Sequence, residues 1–175
     1  LVGSEMCIRD RDGAQWESLA LVTHTAEDLR DAKISITPDG RMMLNGAGMV
    51  ADAEIRYHSM VWFSEDDGKT WTEGTRIGDP GFWLWRAQWR NGYCYSMGYR
   101  TDRDRTNRIV TFYRGTDGEN YDRHIPKLNL DNGVGEDAIL FLEDKSALCL
   151  FRHETGDKMA FLGKSKPPYD QWAWT

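Results

Sequence analysis

The 175-residue sequence has no surplus of positive charge, no long apolar run and no cysteine pattern that suggests a disulfide or metal framework. Its formal net charge is -6, whereas binding to phosphates needs clustered Lys and Arg, so no nucleic-acid partner is expected. No apolar stretch approaches the roughly 18 residues of a membrane span. Cys7, Cys94 and Cys149 are odd in number and far apart, so neither a metal nor another cofactor is predicted.

Aromatic residues and glycine are abundant. The chain holds eight Trp, seven Tyr and 17 Gly, a mixture that suits short strands joined by tight turns. It is 40% hydrophobic and 29% charged, which is typical of a globular protein. Because an amphipathic helical pattern is hard to find, the sequence favours an all-β fold.

The two ends of the chain have unusual patterns. The opening LVGSEMCIRDRD shows no strand or helix period and lacks the long apolar core of a signal peptide. We interpret residues 1–12 as a non-native linker. The closing QWAWT stops in mid-pattern without a helix cap or polar tail. Residues 13–175 are therefore expected to be part of a larger domain, truncated at the C-terminus and also at the N-terminus.

Hairpin turns recur at a regular spacing. Asp39-Gly40, Asn91-Gly92 and Asp144-Lys145 each lie between two apolar runs, 52 and 53 residues apart. Asn-Gly and Asp-Gly supply the positive φ values of a type I′ turn. Lys adopts that geometry less readily than Gly, so the third hairpin signal is weaker.

A second kind of turn follows each of these hairpins. Asp67-Gly68 in WFSEDDGKTW is matched 50 residues later by Asp117-Gly118 in FYRGTDGENY, and then by a Pro-Pro turn in FLGKSKPPYDQW. Each unit of about 50 residues thus holds two hairpins, which is typical of one four-stranded blade of a β-propeller. We predict about three blades of four antiparallel strands.

The stretch SEDDGKTW matches the Asp-box pattern S-x-D-x-G-x-T-W at Ser64, Asp66, Gly68, Thr70 and Trp71. The pattern resembles that of sialidase (neuraminidase)-like propellers with BNR repeats. Three other stretches also resemble bacterial exo-alpha-sialidase-like hydrolases: RDAKISITPDGRMML, GFWLWRAQW and GKSKPPYDQW. Over about residues 28–175, the resemblance implies a partial six-bladed β-propeller.

The residues of this stretch themselves fit a structural function. Asp66 can accept backbone N–H bonds within the turn, Gly68 permits positive φ, and Trp71 can pack between sheets. A calcium loop would need alternating oxygen ligands and a distal Glu, and Lys69 and Thr70 do not continue that pattern. We predict a turn far from any chemistry.

The resemblance implies retaining hydrolysis of a terminal acidic sugar. In that family, arginines hold the sugar carboxylate, a Glu activates a nucleophilic Tyr, and an Asp is the acid/base. The resemblance also implies a glycan partner and a secreted or periplasmic parent that is monomeric when complete. A non-catalytic carbohydrate-binding or scaffold propeller is the alternative.

The resemblance suggests substrate-binding residues on the first two blades. Arg30 occupies the place of the first family arginine, although LRDA departs from the family's F-R-I-P motif. Asp31 could orient Arg30 or contact substrate hydroxyls. Arg86, at the first strand of the second blade, could hold an anion, and Trp85 could stack on a sugar. Surface arginines and inter-blade packing of Trp are the structural alternatives.

The catalytic candidates follow from the same resemblance. Glu136 and Arg152, 16 residues apart, correspond in placement to the Tyr-activating Glu and the second triad Arg. Asp137 is an alternative to Glu136 as the relevant acid. Asp52 is the nearest acid/base candidate, with Glu54 next, although a solvated loop carboxylate is the simpler interpretation. The nucleophilic Tyr and the third Arg are expected beyond the C-terminal residue.

Overall fold

A computed structural model describes residues 4–9, 16–101, 107–130 and 133–175, and every regular element in these ranges is a β-strand. In chain order the strands are β1 (Ser4–Arg9), β2 (Trp16–Val22), β3 (Asp28–Ile36), β4 (Met42–Met49), β5 (Tyr57–Ser64), β6 (Thr75–Ile77), β7 (Trp83–Arg90), β8 (Tyr93–Thr101), β9 (Arg108–Gly115), β10 (Tyr121–Ile125), β11 (Val134–Phe141), β12 (Ala147–His153), β13 (Phe161–Ser165) and β14 (Trp172–Trp174).

Strands β3 to β14 form three four-stranded antiparallel sheets in which each strand pairs with the next along the chain. We call them sheet A (β3–β6), sheet B (β7–β10) and sheet C (β11–β14). These consecutive meanders confirm the predicted partial β-propeller, while the blade count of a complete ring stays a prediction. Strands β1 and β2 form a separate pair, and β1 lies within residues 1–12, where no strand period was found in the sequence.

The hydrophobic cores of the molecule lie between neighbouring sheets. Sheets A and B enclose a buried cluster that includes Met43, Val61, Phe63, Leu84 and Tyr113. This arrangement follows from the strand period of two, because each strand directs alternate side chains to opposite faces of its sheet. Each face must therefore find a neighbouring sheet to cover it.

Aromatic residues dominate the core between sheets B and C. Phe112 is fully buried, stacks on Tyr95 with ring centroids 5.5 Å apart, and meets Trp172 edge-on at 5.7 Å. The opposite face of sheet C, in contrast, exposes Leu140, Leu150 and Leu162 at 59%, 50% and 43%. Sheet C is thus packed against sheet B through one face, and the core between them depends on a few large rings.

The hairpin between β7 and β8 confirms its predicted turn type. Asn91 has φ 51° and Gly92 has φ 77°, so both central residues have the positive φ of a type I′ turn. In the third hairpin Lys145 also has positive φ, 66°, within a loop in which Asp144 accepts a 2.9 Å bond from the Ser146 amide. This local bond supports a backbone conformation that Lys rarely adopts.

The type I′ prediction for the first hairpin is wrong. Between β3 and β4, Gly40 has φ 90° whereas Asp39 does not have positive φ. The connection is a wider loop closed by the Thr37 amide, which donates to the Arg41 carbonyl at 2.9 Å. The Thr37 hydroxyl also donates to the Asp39 carboxylate, and this local side-chain bond supports the loop.

The turn from Ser64 to Trp71 is closed by its own side chains. Asp66 accepts bonds from the amide and the hydroxyl of Thr70, both at 2.8 Å, and from the Ser64 hydroxyl at 2.9 Å. The Trp71 indole donates to the Gly68 carbonyl at 2.9 Å. The predicted bonding of the Asp66 carboxylate to a backbone amide of the turn is confirmed. This turn begins at the last residue of β5. It therefore lies at the end of sheet A that is opposite the first residues of β3.

Substituting Phe112→Ala should lower the free energy of unfolding by about 3–5 kcal/mol, because it opens a cavity in the B–C core. Urea denaturation followed by tryptophan fluorescence measures this change. Leu140→Ala is the matched control, since its exposed side chain should cost no more than about 0.5 kcal/mol. Equal losses in the two variants would contradict the position assigned to the core.

Asp66→Asn should lower the Tm at pH 7, and the difference from wild type should shrink between about pH 4 and pH 2. Hydrogen bonds, first that from the Thr70 amide, lower the pKa of Asp66 to about 2. A lowered carboxyl pKa gives stability that is present above the unfolded value of about 3.9 and is lost as pH falls through about 2. Thermal melts across this range test the prediction; a difference independent of pH would refute it.

Candidate functional site

The innermost strand of each sheet carries a β-bulge near its first residue. The register shifts fall between Arg30 and Lys33 in β3, Leu84 and Arg86 in β7, and Val134 and Asp137 in β11. Because β7 contacts both β3 and β11, the three bulges lie at one end of the molecule, which we call the bulge end. Bulges redirect side chains and occur often beside functional sites.

Polar side chains of sheet A fix the start of β7. The Ser59 hydroxyl accepts a 2.7 Å bond from the Leu84 amide and donates to the Phe82 carbonyl at 3.0 Å. The Asn45 amide donates to the Trp85 carbonyl at 3.4 Å. Sheet A therefore fixes the second bulge, and with it the direction of the side chains that follow.

Lys33 lies at the centre of a charged cluster at the bulge end. Its ammonium is 3.5 Å from the centroid of the Trp85 ring and donates to the Asp31 carbonyl at 2.6 Å. Burial is the largest influence and lowers the pKa of Lys33 to about 8; the Asp31 carboxylate opposes this shift and Arg86 reinforces it. Lys33 can therefore change its charge in mildly alkaline solution.

Asp137 is the buried acid of the cluster. Asp137 is only 5% exposed. Within the described part of the chain, neither of its carboxyl oxygens has a hydrogen-bond partner. Burial raises the pKa of Asp137 well above its usual value, while Arg86 and Lys33 oppose the shift. A carboxyl group in this environment favours its protonated form.

A chain of alternating charges connects sheets B and C at the rim of the bulge end. Glu136 accepts a 2.9 Å bond from Arg152, which lies 3.3 Å from Glu154. Glu154 in turn accepts a 2.5 Å bond from Arg108, whose guanidinium also donates to the Gly133 carbonyl at 3.1 Å. We call Arg108, Glu154, Arg152 and Glu136 the rim network.

Aromatic rings form the wall between sheets A and B at this end. Trp83 stacks on Tyr99 with centroids 6.3 Å apart and lies 5.3 Å from the ring of Tyr57. Burial first, and then the Glu136 charge, raises the pKa of Tyr99. Tyr99 therefore keeps its proton at neutral pH and can donate a hydrogen bond.

Several residues predicted from the sequence come together at the bulge end. Five of them lie around Lys33: Asp31, Trp85, Arg86, Glu136 and Asp137. Arg152 joins them through its bond to Glu136. Lys33 itself was not predicted, although a charge inside the alternating AKISI strand is the signal that could have revealed it.

Two predicted residues have other surroundings. The Arg30 guanidinium binds the Asp28 carboxylate, at 2.5 and 2.8 Å, and among the described residues it forms no hydrogen bond or ion pair with Arg86 or Glu136. Asp52 is exposed in the turn between β4 and β5. The substrate-binding function of Arg30 and the acid/base function of Asp52 stay predictions.

Over the ranges that the structure describes, no group of three or more His, Cys, Asp or Glu side chains is placed to hold a metal ion. The same residues form no helix with the length and apolar character needed to span a membrane.

Solved structures share this fold at low sequence identity. A protein of unknown function from Dyadobacter fermentans aligns with a TM-score of 0.75 at 15% identity, over 95% of this chain and 56% of its own. An alpha-L-arabinanase from Penicillium chrysogenum, solved with arabinobiose, gives 0.74 at 14%, over 99% and 58%. An alpha-L-arabinofuranosidase from Fusarium graminearum, solved with an iminosugar inhibitor, gives 0.72 at 14%, over 99% and 58%.

These similarities support the fold. Two of the three similar structures are glycoside hydrolases, and none of the three is described as a sialidase. The chain spans between 56% and 58% of the length of these structures. No family model matches the chain, and no curated protein matches it by sequence.

Asp137→Asn should become progressively more stable than wild type as pH rises from about 4. A carboxyl whose folded pKa is raised stabilises the fold below the unfolded pKa, and this contribution is lost as pH rises towards the folded value. The Asn side chain has a similar shape but does not titrate. Urea unfolding of both proteins at pH 4, 6 and 8 measures the effect; a constant difference would disprove it.

Proposed function

We propose that the protein containing this chain is a propeller glycoside hydrolase that removes a terminal acidic sugar, with the bulge end as its active site. The observation that carries this proposal is the gathering of Lys33, Arg86, Glu136 and Asp137 beside Trp85 at the ends of three inner strands. Two solved propellers of the same fold are glycosidases, which supports the reaction class.

The proposed ligand contacts follow from side-chain chemistry. Arg86 offers a planar set of donors that suits a carboxylate, and Trp85 offers an indole face for a sugar ring. Asp31, exposed on the first bulge, is available to sugar hydroxyls. Arg152 is 56% exposed while bonded to Glu136 and can share its remaining donors with a substrate.

Glu136 is the carboxylate that we propose for catalysis. It lies on the third bulge, partly exposed, and its charge affects both Lys33 and Tyr99. A carboxylate in this position can take a proton from a nucleophile or give one to a leaving group. We assign no nucleophile among the described residues. Asp52 stays the proposed acid/base.

A non-catalytic sugar-binding propeller is the second candidate. One observation favours it: Glu136 is ion-paired with Arg152 at 2.9 Å, which holds the carboxylate in a charge-neutral pair. A binding module needs no free acid or nucleophile, so such a pair would not impair it. Both candidate functions predict sugar binding, but only the glycoside hydrolase predicts turnover.

Hydrolysis of fluorogenic glycosides tests the proposal. The complete gene product is assayed between pH 4 and 8 on an alpha-sialoside, a beta-glucuronide and an alpha-L-arabinofuranoside. We expect turnover of an acidic glycoside, and Glu136→Gln should reduce kcat/KM by about 10²- to 10⁴-fold. Turnover of the arabinofuranoside alone would refute the acidic substrate, while binding without turnover would establish the second candidate.

Glu143→Gln is the matched control for Glu136→Gln. Glu143 lies in the loop after β11, at the other end of the same strand. Its substitution removes the same charge from sheet C and should leave kcat/KM unchanged. Equal losses in both variants would indicate an effect of net charge or stability and would exclude a catalytic function for Glu136.

A further inference from the structure

Two neighbouring cations at the bulge end have no carboxylate paired with them. Among the described residues, neither Lys33 nor Arg86 lies within 4.0 Å of an acidic oxygen, although other arginines of the chain form such pairs. The charge of Arg86 also disfavours the charged form of Lys33, so the two groups repel each other. An anion bound between them would relieve that repulsion.

Two of the three acids near Lys33, Glu136 and Asp137, offer it little negative charge. Glu136 is bonded to Arg152 at 2.9 Å. Asp137 is buried, with a raised pKa that favours the uncharged acid. Asp31 binds Lys33 through its uncharged backbone carbonyl, while its exposed carboxylate lies beyond ion-pair distance and favours the charged form of Lys33. The cationic charge at this point is therefore only partly compensated within the described chain.

Lys33 is held by two contacts that an anion could replace. Its ammonium donates to the Asp31 carbonyl and lies over the Trp85 ring. Both contacts use the positive charge without neutralising it, and the flexible four-carbon stem allows the ammonium to move. Release of Lys33 would also uncover the Trp85 face for a sugar ring.

We propose that Lys33, together with Arg86, is the specificity-determining residue that recognises the carboxylate of the ligand, and that Trp85 and the Asp31 carbonyl hold Lys33 beside the site until the ligand binds. The inference rests on the proposed function, because it concerns the acidic sugar bound at the same site. It assigns the recognition of the carboxylate to β3 and β7, with Lys33 in the place that the sequence suggested for Arg30.

This arrangement makes recognition sensitive to alkaline pH. The charged groups that act on Lys33 are Asp31 on its own strand, Arg86 on β7, and Glu136 and Asp137 on β11. Burial lowers the pKa of Lys33 to about 8, so its positive charge declines as pH rises through that value. Affinity for a carboxylate should decline over the same range.

Paired ligands that differ only in the carboxylate test the inference. The methyl glycosides of sialic acid and of glucuronic acid are each compared with their carboxyl methyl esters by calorimetric titration. Wild-type protein should prefer at least one acid over its ester by about tenfold or more, and Lys33→Met should abolish that preference. Lys33→Arg should retain the preference for the acid and should keep it unchanged between pH 7 and 9, because the guanidinium stays charged over this range.

Lys164→Met is the control, because Lys164 is exposed on β13 in sheet C. It should keep the acid-over-ester preference of wild type. The inference is overturned if wild type prefers neither acid, or if Lys33→Met keeps the preference. The hydrolysis assay decides the proposed function separately, so turnover of an acidic glycoside with an unchanged Lys33→Met preference would refute this inference alone.

Discussion

Burial between sheets is the constraint on which the rest of this structure depends. Each four-stranded meander has two faces, and no single sheet can bury both without a neighbour. Phe63 of sheet A, Phe112 of sheet B and Phe151 of sheet C are buried because adjacent sheets cover them. The same stacking places β7 against both β3 and β11, which brings three inner strands together at the bulge end. The site is thus a consequence of the inter-sheet cores.

Stacking of the sheets alone would bring together three regular inner strands. The bulges redirect side chains of these strands and so form the candidate site. Ser59 and Asn45 bind the backbone around Leu84 and Trp85, so sheet A determines where β7 departs from regular pairing. Charged residues follow these departures, at Lys33 on β3 and at Asp137 on β11. Chain segments from three sheets therefore set the electrostatics of one small region, although each sheet is formed by local pairing.

Features encoded by a few adjacent residues were largely predictable from the sequence, apart from the turn type at Asp39-Gly40, and features that depend on register between strands were not. Asn91-Gly92 forms its type I′ turn because the two residues themselves favour positive φ. The three meanders followed from the spacing of such turns. Lys33 was missed because its position depends on a bulge that periodicity does not reveal. Arg30, two residues beyond Asp28 on the same strand, bonds to that neighbour.

The bulge end contains both a satisfied and an unsatisfied set of charges. In the rim network, each acid of the Glu136–Arg152–Glu154–Arg108 chain lies beside a guanidinium. An acidic ligand that approached Lys33 would also approach Glu136, and two carboxylates in a partly dry site repel each other. The Arg152 guanidinium offsets that repulsion by neutralising Glu136. Under the proposed function, this ion pair would allow an acidic residue and an acidic ligand to share one end of the molecule, whether the site hydrolyses the sugar or only binds it.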